Sequence, residues 1–129
     1  MIVAVDFDNT ITLRAKYPQT GDLNPVALDF LNKLKELGCY IILNTARRGD
    51  AKKEAVTLCR QWGVPIDEVA TGMSKVMAHY YVDDRSCKLY TIDFDKEYEN
   101  IKEINELKLW EQVWWTKNCC EQWKRIFIL

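Results

Sequence analysis

The chain has 129 residues, of which 48% are hydrophobic and 29% are charged. This length predicts a single compact domain, and the apolar content excludes an intrinsically disordered chain. Lys and Arg total 18 against 19 for Asp and Glu, a formal net charge of -1, so the chain has no overall positive field for general nucleic-acid binding.

The first residues lack the basic stretch and cleavage site of a secretion signal, and no apolar run approaches the roughly 18 residues that a membrane span needs. We therefore expect a cytoplasmic protein without a membrane partner. The five cysteines include no Cys-x-x-Cys pair. An odd number without such a pair predicts reduced thiols rather than a disulfide framework or a zinc site.

The predicted elements alternate between strands and helices. Residues 2–7 form a short apolar run without polar alternation, which is typical of a strand buried on both faces. Asn24 followed by Pro25 predicts the start of a helix that ends at Gly38. Residues 39–43 are predicted to form the second buried strand.

The pattern continues in the second half of the core. Asp50 is predicted to cap a helix that ends at Gly63, and residues 64–72 are predicted as a short strand or a loop. Ser74 is predicted to begin a brief helix that reaches about Ala78. A third strand is then predicted at residues 80–82.

Strand, helix and strand in this order predict an α/β fold. We expect a three-layer, Rossmann-like parallel sheet with helices on both faces and with no cap domain. Residues 1–94 are predicted to form the catalytic core, and residues 95–129 a C-terminal amphipathic helical extension. His79, the only histidine, is expected to be structural.

The predicted C-terminal helix extends to about Lys124, and residues 126–129 are predicted as an edge strand or a sticky end. Four of the five tryptophans lie in this extension and cannot share one narrow helix face. The extension is therefore expected to pack on the core, to form an interface such as that of a homo-oligomer, or to cover the site partly. The tryptophans are Trp110, Trp114, Trp115 and Trp123.

Polar residues follow each of the three most clearly predicted strands. The first ends in Asp6, Asp8 and Thr10, the second in Thr45, and the third in Asp83 and Asp84. The carboxyl ends of parallel strands meet at one edge of a sheet, where open α/β folds bind ligands. Four carboxylates gathered there would repel one another without a cation, and oxygen ligands of this kind suit Mg²⁺.

These residue types can catalyse phosphoryl transfer. A carboxylate beside Mg²⁺ can attack phosphorus and form an aspartyl phosphate, the role we assign to Asp6. Asp8 can exchange a proton with the leaving group and then with water. Thr45, Lys75 and Arg47 are candidates to bind the phosphoryl oxygens.

The chain resembles the haloacid dehalogenase superfamily over about residues 1–86. Asp-Phe-Asp-Asn-Thr at 6–10 is similar to the first motif of that superfamily, and Leu-Asn-Thr at 43–45 to its second. Lys75 stands where a phosphate-binding lysine is expected, and Tyr-Tyr-Val-Asp-Asp at 80–84 is similar to the acidic fourth motif.

The resemblance implies a ligand set for the metal. Asp6 would bind Mg²⁺ through its side chain and Asp8 through its backbone carbonyl. Asp84 would bind the metal directly. Asp83 would contact it through a water molecule or would contact the direct ligands instead of the metal. Asn9 stands where the superfamily often has glycine, and we expect asparagine to accept the left-handed backbone of that position.

The resemblance also bears on the reaction. An aspartate at position 8 resembles the phosphatase and phosphomutase branches, whereas dehalogenases lack it. The intervals from Thr10 to Thr45 and from Thr45 to Lys75 have no room for a cap. Uncapped members act on large substrates or borrow a lid from a neighbouring subunit.

We therefore predict an Mg²⁺-dependent phosphatase that hydrolyses a phosphate monoester of unassigned class. Arg47 and Arg48, close to Thr45, are candidate contacts for an anionic leaving group. The alternative is a catalytically weak phosphate-binding, metal-binding or regulatory module that acts through its Trp-rich tail.

Overall fold

A computed structural model describes residues 1–73, 75–87 and 91–107 of the chain. The strands are β1 (Ile2–Val5), β2 (Thr12–Leu13), β3 (Asp22–Leu23), β4 (Tyr40–Leu43), β5 (Glu68–Val69) and β6 (Tyr80–Val82). The helices are α1 (Pro25–Glu36), α2 (Gly49–Gln61) and α3 (Phe94–Leu107).

Four strands form a parallel sheet in the order β5-β4-β1-β6. From β1 the chain crosses to β4 and β5 on one side and then returns to β6 on the other side of β1. The predicted α/β class is therefore confirmed, in a form compatible with a Rossmann-like fold. The order reverses between β1 and β6, and such a switch point is where open α/β sheets bind ligands.

The predicted start of α1 is confirmed. The Asn24 side chain accepts a hydrogen bond from the Val26 amide at 3.1 Å, and Pro25 is the first helical residue. Both features suit a helix N-terminus, where backbone amides lack partners and the fixed φ of proline is already helical. Gly38 follows the helix with a φ of 83°.

Two details of the predicted helices were wrong. Arg48, rather than Asp50, is the N-cap of α2. Asp50 lies in the first turn, where its negative charge interacts favourably with the positive end of the helix dipole. Residues 75–78 are not helical. The Tyr81 hydroxyl donates to the Val76 carbonyl at 2.6 Å and accepts from the Ala78 amide, so these backbone groups bond to a nearby side chain and not within a helix. Ser74 lies outside the described residues.

A hairpin that the sequence analysis did not anticipate follows the loop after β1. β2 and β3 pair antiparallel, with Thr12 opposite Leu23. Gly21 has a φ of 73°, and a Cβ atom there would lie 2.3 Å from the Leu13 carbonyl oxygen, so only glycine fits without a backbone shift. Strands of two residues show no alternation in the sequence.

One apolar cluster joins the sheet to all three helices. It contains alternate residues of β1 and β4, such as Val3, Val5 and Leu43, with Leu31 of α1 and Cys59 of α2. Ala4 and Ile42, which alternate with these residues, are also buried. The three-layer arrangement with helices on both faces remains a prediction.

The described beginning of the C-terminal extension packs on the core. Ile101 of the extension is fully buried, and Phe94, the residue just before the extension, has its ring 5.2 Å from that of Phe30 in α1. Residues 108–129, with the four tail tryptophans and the predicted end strand, lie outside the described residues. Among the helices that are described, none is long and apolar enough to span a membrane.

We predict that α3 contributes to the stability of the core. Ile101→Ala should lower the free energy of unfolding by about 2–5 kcal/mol, because it leaves a cavity where a fully buried side chain stood. Leu107→Ala, on the same helix but at a side chain 57% exposed, is the matched control and should change it by less than about 1 kcal/mol. Equal effects in urea titrations would contradict the packing of α3 on α1.

Candidate active site

Three carboxylates meet at the switch point of the sheet. Asp6 follows β1, and Asp83 and Asp84 follow β6; each offers one oxygen, and these oxygens all lie within 4.8 Å of one another. The Asp6 amide donates to the Val82 carbonyl at 3.0 Å, which extends the pairing of β1 with β6 up to the acids. The strand pairing therefore brings together residues far apart in sequence.

Thr10 links the two acidic loops. Its hydroxyl donates to Asp6 Oδ2 at 3.5 Å and accepts a hydrogen bond from the Asp84 amide at 3.3 Å. Thr10 is only 1% exposed, so these hydrogen bonds are shielded from water. Thr10 thus holds Asp6 and the Asp84 backbone in a fixed relation.

The three acids differ in electrostatic environment. Burial, together with the negative charges of Asp83 and Asp84, raises the pKa of Asp6 to about 7, against a backbone hydrogen bond from Phe7. Burial and the neighbouring Asp83 also raise the pKa of Asp84. Hydrogen bonds from Arg85 lower the pKa of Asp83, whose Oδ2 lies 2.8 Å from Arg85 Nη2.

The acidic cluster has the donor chemistry of a site for a hard divalent cation. It offers only carboxylate oxygens, three of which lie within 4.8 Å of one another. Asp83 already has a partner in Arg85, so Asp6 and Asp84 are the carboxylates best able to hold a cation directly.

Asp8 lies apart from this cluster and pairs with Arg47. Arg47 Nε donates to Asp8 Oδ2 at 2.8 Å, and Nη2 donates to Oδ1 at 2.7 Å. The guanidinium also donates to the carbonyls of Pro18 and Gln19, both at 2.9 Å. Its Cζ atom lies 5.6 Å from the centroid of the Phe7 ring and 5.3 Å from that of the Tyr17 ring.

This position gives Arg47 a different role from the expected one. Its side chain is 1% exposed, and it binds Asp8 and the β2–β3 hairpin. Thr45 and Lys75, by contrast, line one open pocket of about 440 Å³ to which Arg47 does not contribute. The Thr45 hydroxyl accepts from the Arg47 amide at 3.1 Å, which leaves its hydrogen available for an anion. The pocket is lined by Asn44, Thr45, Ala46, Arg48, Gly72, Lys75, Val76, Tyr81 and Arg85.

Sequence reasoning missed Arg85 and the role of Thr10. The position of Arg85 directly after Asp83 and Asp84 was the available signal, since an arginine there reaches back to the first acid. Asn9 behaves as expected: its φ is 58°, and its side chain accepts from the Ala15 amide at 2.9 Å. His79 Nδ1 accepts from the Ile2 amide at 2.8 Å, a structural contact.

Comparison with solved structures places the chain beside a conserved protein from Bacteroides thetaiotaomicron. The two are 33% identical over 80% of this chain and 90% of that one, with a TM-score of 0.69. The chain belongs to the same family as that protein. The description of the Bacteroides protein names no activity, ligand or partner. No protein-family model and no curated protein matches the chain.

The raised pKa of Asp6 predicts a pH-dependent stability in the presence of a chelator. The folded protein binds the Asp6 proton more tightly than the unfolded chain, so stability from this group falls as pH rises from about 4 to about 7. Asp6→Asn removes the buried charge. At pH 8 it should raise the free energy of unfolding by up to about 4 kcal/mol, and near pH 4 by less than about 1 kcal/mol.

Urea titrations of both proteins at the two pH values test this prediction. The difference between the proteins isolates Asp6 from the other titrating groups. An Asp6→Asn effect that is the same at both pH values would contradict a buried, charge-crowded Asp6.

The contacts of Arg47 predict that lysine cannot replace it. Arg47→Lys keeps the charge but loses the two-pronged pair with Asp8 and the carbonyl contacts to the hairpin. Unfolding free energy should fall by about 2–4 kcal/mol. The matched control is Arg14→Lys, since Arg14 and Asp22 form an exposed pair and its change should stay below about 1 kcal/mol. Equal losses in the two variants would refute the buried Arg47 junction.

Proposed function

We propose that the chain is a member of the haloacid dehalogenase superfamily and an Mg²⁺-dependent phosphatase. It hydrolyses a phosphate monoester through an aspartyl phosphate on Asp6. The observation that carries the proposal is the meeting of buried Asp6 with Asp83 and Asp84 at the switch point of a parallel sheet. The adjoining pocket with Thr45 and Lys75 supports it, because an anion can bind there.

In this proposal, Asp6 and Asp84 would hold Mg²⁺ through their carboxylates, and Asp8 would hold it through its backbone carbonyl. Asp83, which Arg85 already binds, would act through water or through the direct ligands. When bound, Mg²⁺ neutralises the acidic cluster and polarises a phosphoryl oxygen. Thr45 and Lys75 bind the remaining phosphoryl oxygens.

The first half-reaction transfers the phosphoryl group to the protein. An Asp6 oxygen forms a bond to phosphorus as the ester P–O bond breaks, and Asp8 gives a proton to the departing oxygen. In the second half, water attacks phosphorus and gives a proton to Asp8. The bond from phosphorus to Asp6 breaks, which releases inorganic phosphate and restores both carboxyl groups.

Arg47 acts as a positioning residue in this scheme. It binds both oxygens of Asp8, while the Asp8 side chain keeps 30% of its surface exposed. Each carboxylate oxygen has a further lone pair, so Asp8 can handle a proton without leaving Arg47. The same guanidinium holds residues 18 and 19, so it also fixes the hairpin beside the site.

The proposal keeps the uncapped, three-layer core predicted from the sequence and a cytoplasmic location. Cys39, Cys59 and Cys87 are free thiols, which suits a reducing compartment. The alternative of a regulatory module that acts through the Trp-rich tail remains a proposal too. It predicts metal binding without turnover.

Turnover of an aryl phosphate with Mg²⁺, and with a chelator instead, tests the proposed function. We expect turnover only with the metal. Asp6→Asn should lower kcat by about 10⁴-fold or more, and Asp8→Asn by about 10²- to 10⁴-fold. Asp29→Asn, an exposed carboxylate on α1, is the matched control and should leave kcat unchanged.

Activity that survives Asp6→Asn would overturn the mechanism. Magnesium binding, measured by calorimetry, without turnover of any phosphate ester would instead favour the regulatory alternative.

A further inference from the structure

The pocket beside the acidic cluster is lined by several cationic side chains. Among the described residues that line it, Arg48, Lys75 and Arg85 are cationic and none is acidic. This local excess stands out in a chain of formal net charge -1. The volume of about 440 Å³ lies in the range of small-molecule sites, so the pocket has room for a leaving group as well as a phosphate.

Arg48 is positioned by a glycine. Its Nη2 donates to the Gly72 carbonyl at 3.3 Å, and a Cβ atom on residue 72 would lie 2.1 Å from Arg48 Nη1. The φ of Gly72 is 77°, a backbone conformation that favours glycine. The bond to Gly72 uses one of the five guanidinium donors, so Arg48 has donors left for a ligand.

The three cationic side chains of the pocket differ in whether they have an ion-pair partner. Within residues 1–73, 75–87 and 91–107, neither Arg48 nor Lys75 forms an ion pair. Arg85 pairs with Asp83, yet its side chain is 68% exposed. Lys75 and Thr45 line the pocket together and can bind the phosphoryl group that reacts. Arg48 and Arg85 are then available to bind a second anion, and the planar guanidinium of arginine matches the geometry of phosphate in particular.

We propose that the substrate is a phosphate monoester whose leaving group carries a second phosphate, bound by Arg48 and Arg85. This inference rests on the proposed function for the reacting phosphate. It adds the class of the substrate, a bisphosphorylated molecule.

The kinetic test compares kcat/KM for fructose 1,6-bisphosphate with kcat/KM for fructose 6-phosphate. The wild-type protein should prefer the bisphosphate, and Arg48→Gln should lower that preference about tenfold by removing a charge-assisted hydrogen bond. Gly72→Ala should act in the same direction because its methyl group displaces the Arg48 guanidinium. Arg60→Gln, an exposed arginine near the far end of α2, is the charge-matched control and should leave the preference unchanged.

A binding test separates this inference from the proposed reaction. Calorimetry of Asp6→Asn with fructose 1,6-bisphosphate should show binding that Arg48→Gln weakens about tenfold. Arg48-dependent binding together with a wild-type protein that turns over no ester would support the pocket and overturn the phosphatase. Turnover of aryl phosphate with a preference that Arg48→Gln does not change would overturn the pocket and leave the phosphatase standing.

Discussion

Asp6 is buried within 4.8 Å of two other carboxylates, and the rest of the site is arranged around this concentration of negative charge. Pairing of β1 with β6 brings the acids together, because both strands run parallel and end at the same edge. The energetic cost appears as the raised pKa of Asp6. The Phe7 backbone amide and the charge of Arg85 offset part of it. A divalent cation offsets the remainder in our proposal.

The two aspartates of the first motif are kept in different environments by their neighbours. Asp6 faces other carboxylates, whereas Asp8 faces the buried guanidinium of Arg47. Separation of this kind lets two carboxyl groups take different roles in one reaction. A nucleophile at Asp6 and a proton carrier at Asp8 fit that division. The arginine that holds Asp8 also holds the β2–β3 hairpin, so the proposed proton carrier and the rim of the site depend on one side chain.

Much of the core could be predicted because it depends on local signals. Strands β1 and β4 are continuous apolar runs and largely buried, β6 is a short run of aromatic and β-branched residues, and Asn24 with Pro25 marks the start of α1. The β2–β3 hairpin was missed because strands of two residues are too short to show the alternation of polar and apolar residues that marks a strand. The brief helix at residues 75–78 was wrong because contacts with Tyr81 outweigh a weak local preference. The pair of Asp8 with Arg47 joins residues 39 positions apart, which no local pattern reveals.

The central claim is that Asp6 accepts a phosphoryl group, and the mass of a trapped protein tests it most directly. Acetyl phosphate with Mg²⁺ can phosphorylate Asp8→Asn without a proton donor, because its leaving group is a good one, while the missing base slows hydrolysis. The account predicts a gain of one phosphoryl group, mapped by peptide mass spectrometry to Asp6 and absent from the variant that also carries Asp6→Asn. A phosphoryl group on another residue, or none while the wild-type protein turns over phosphate esters, would contradict it.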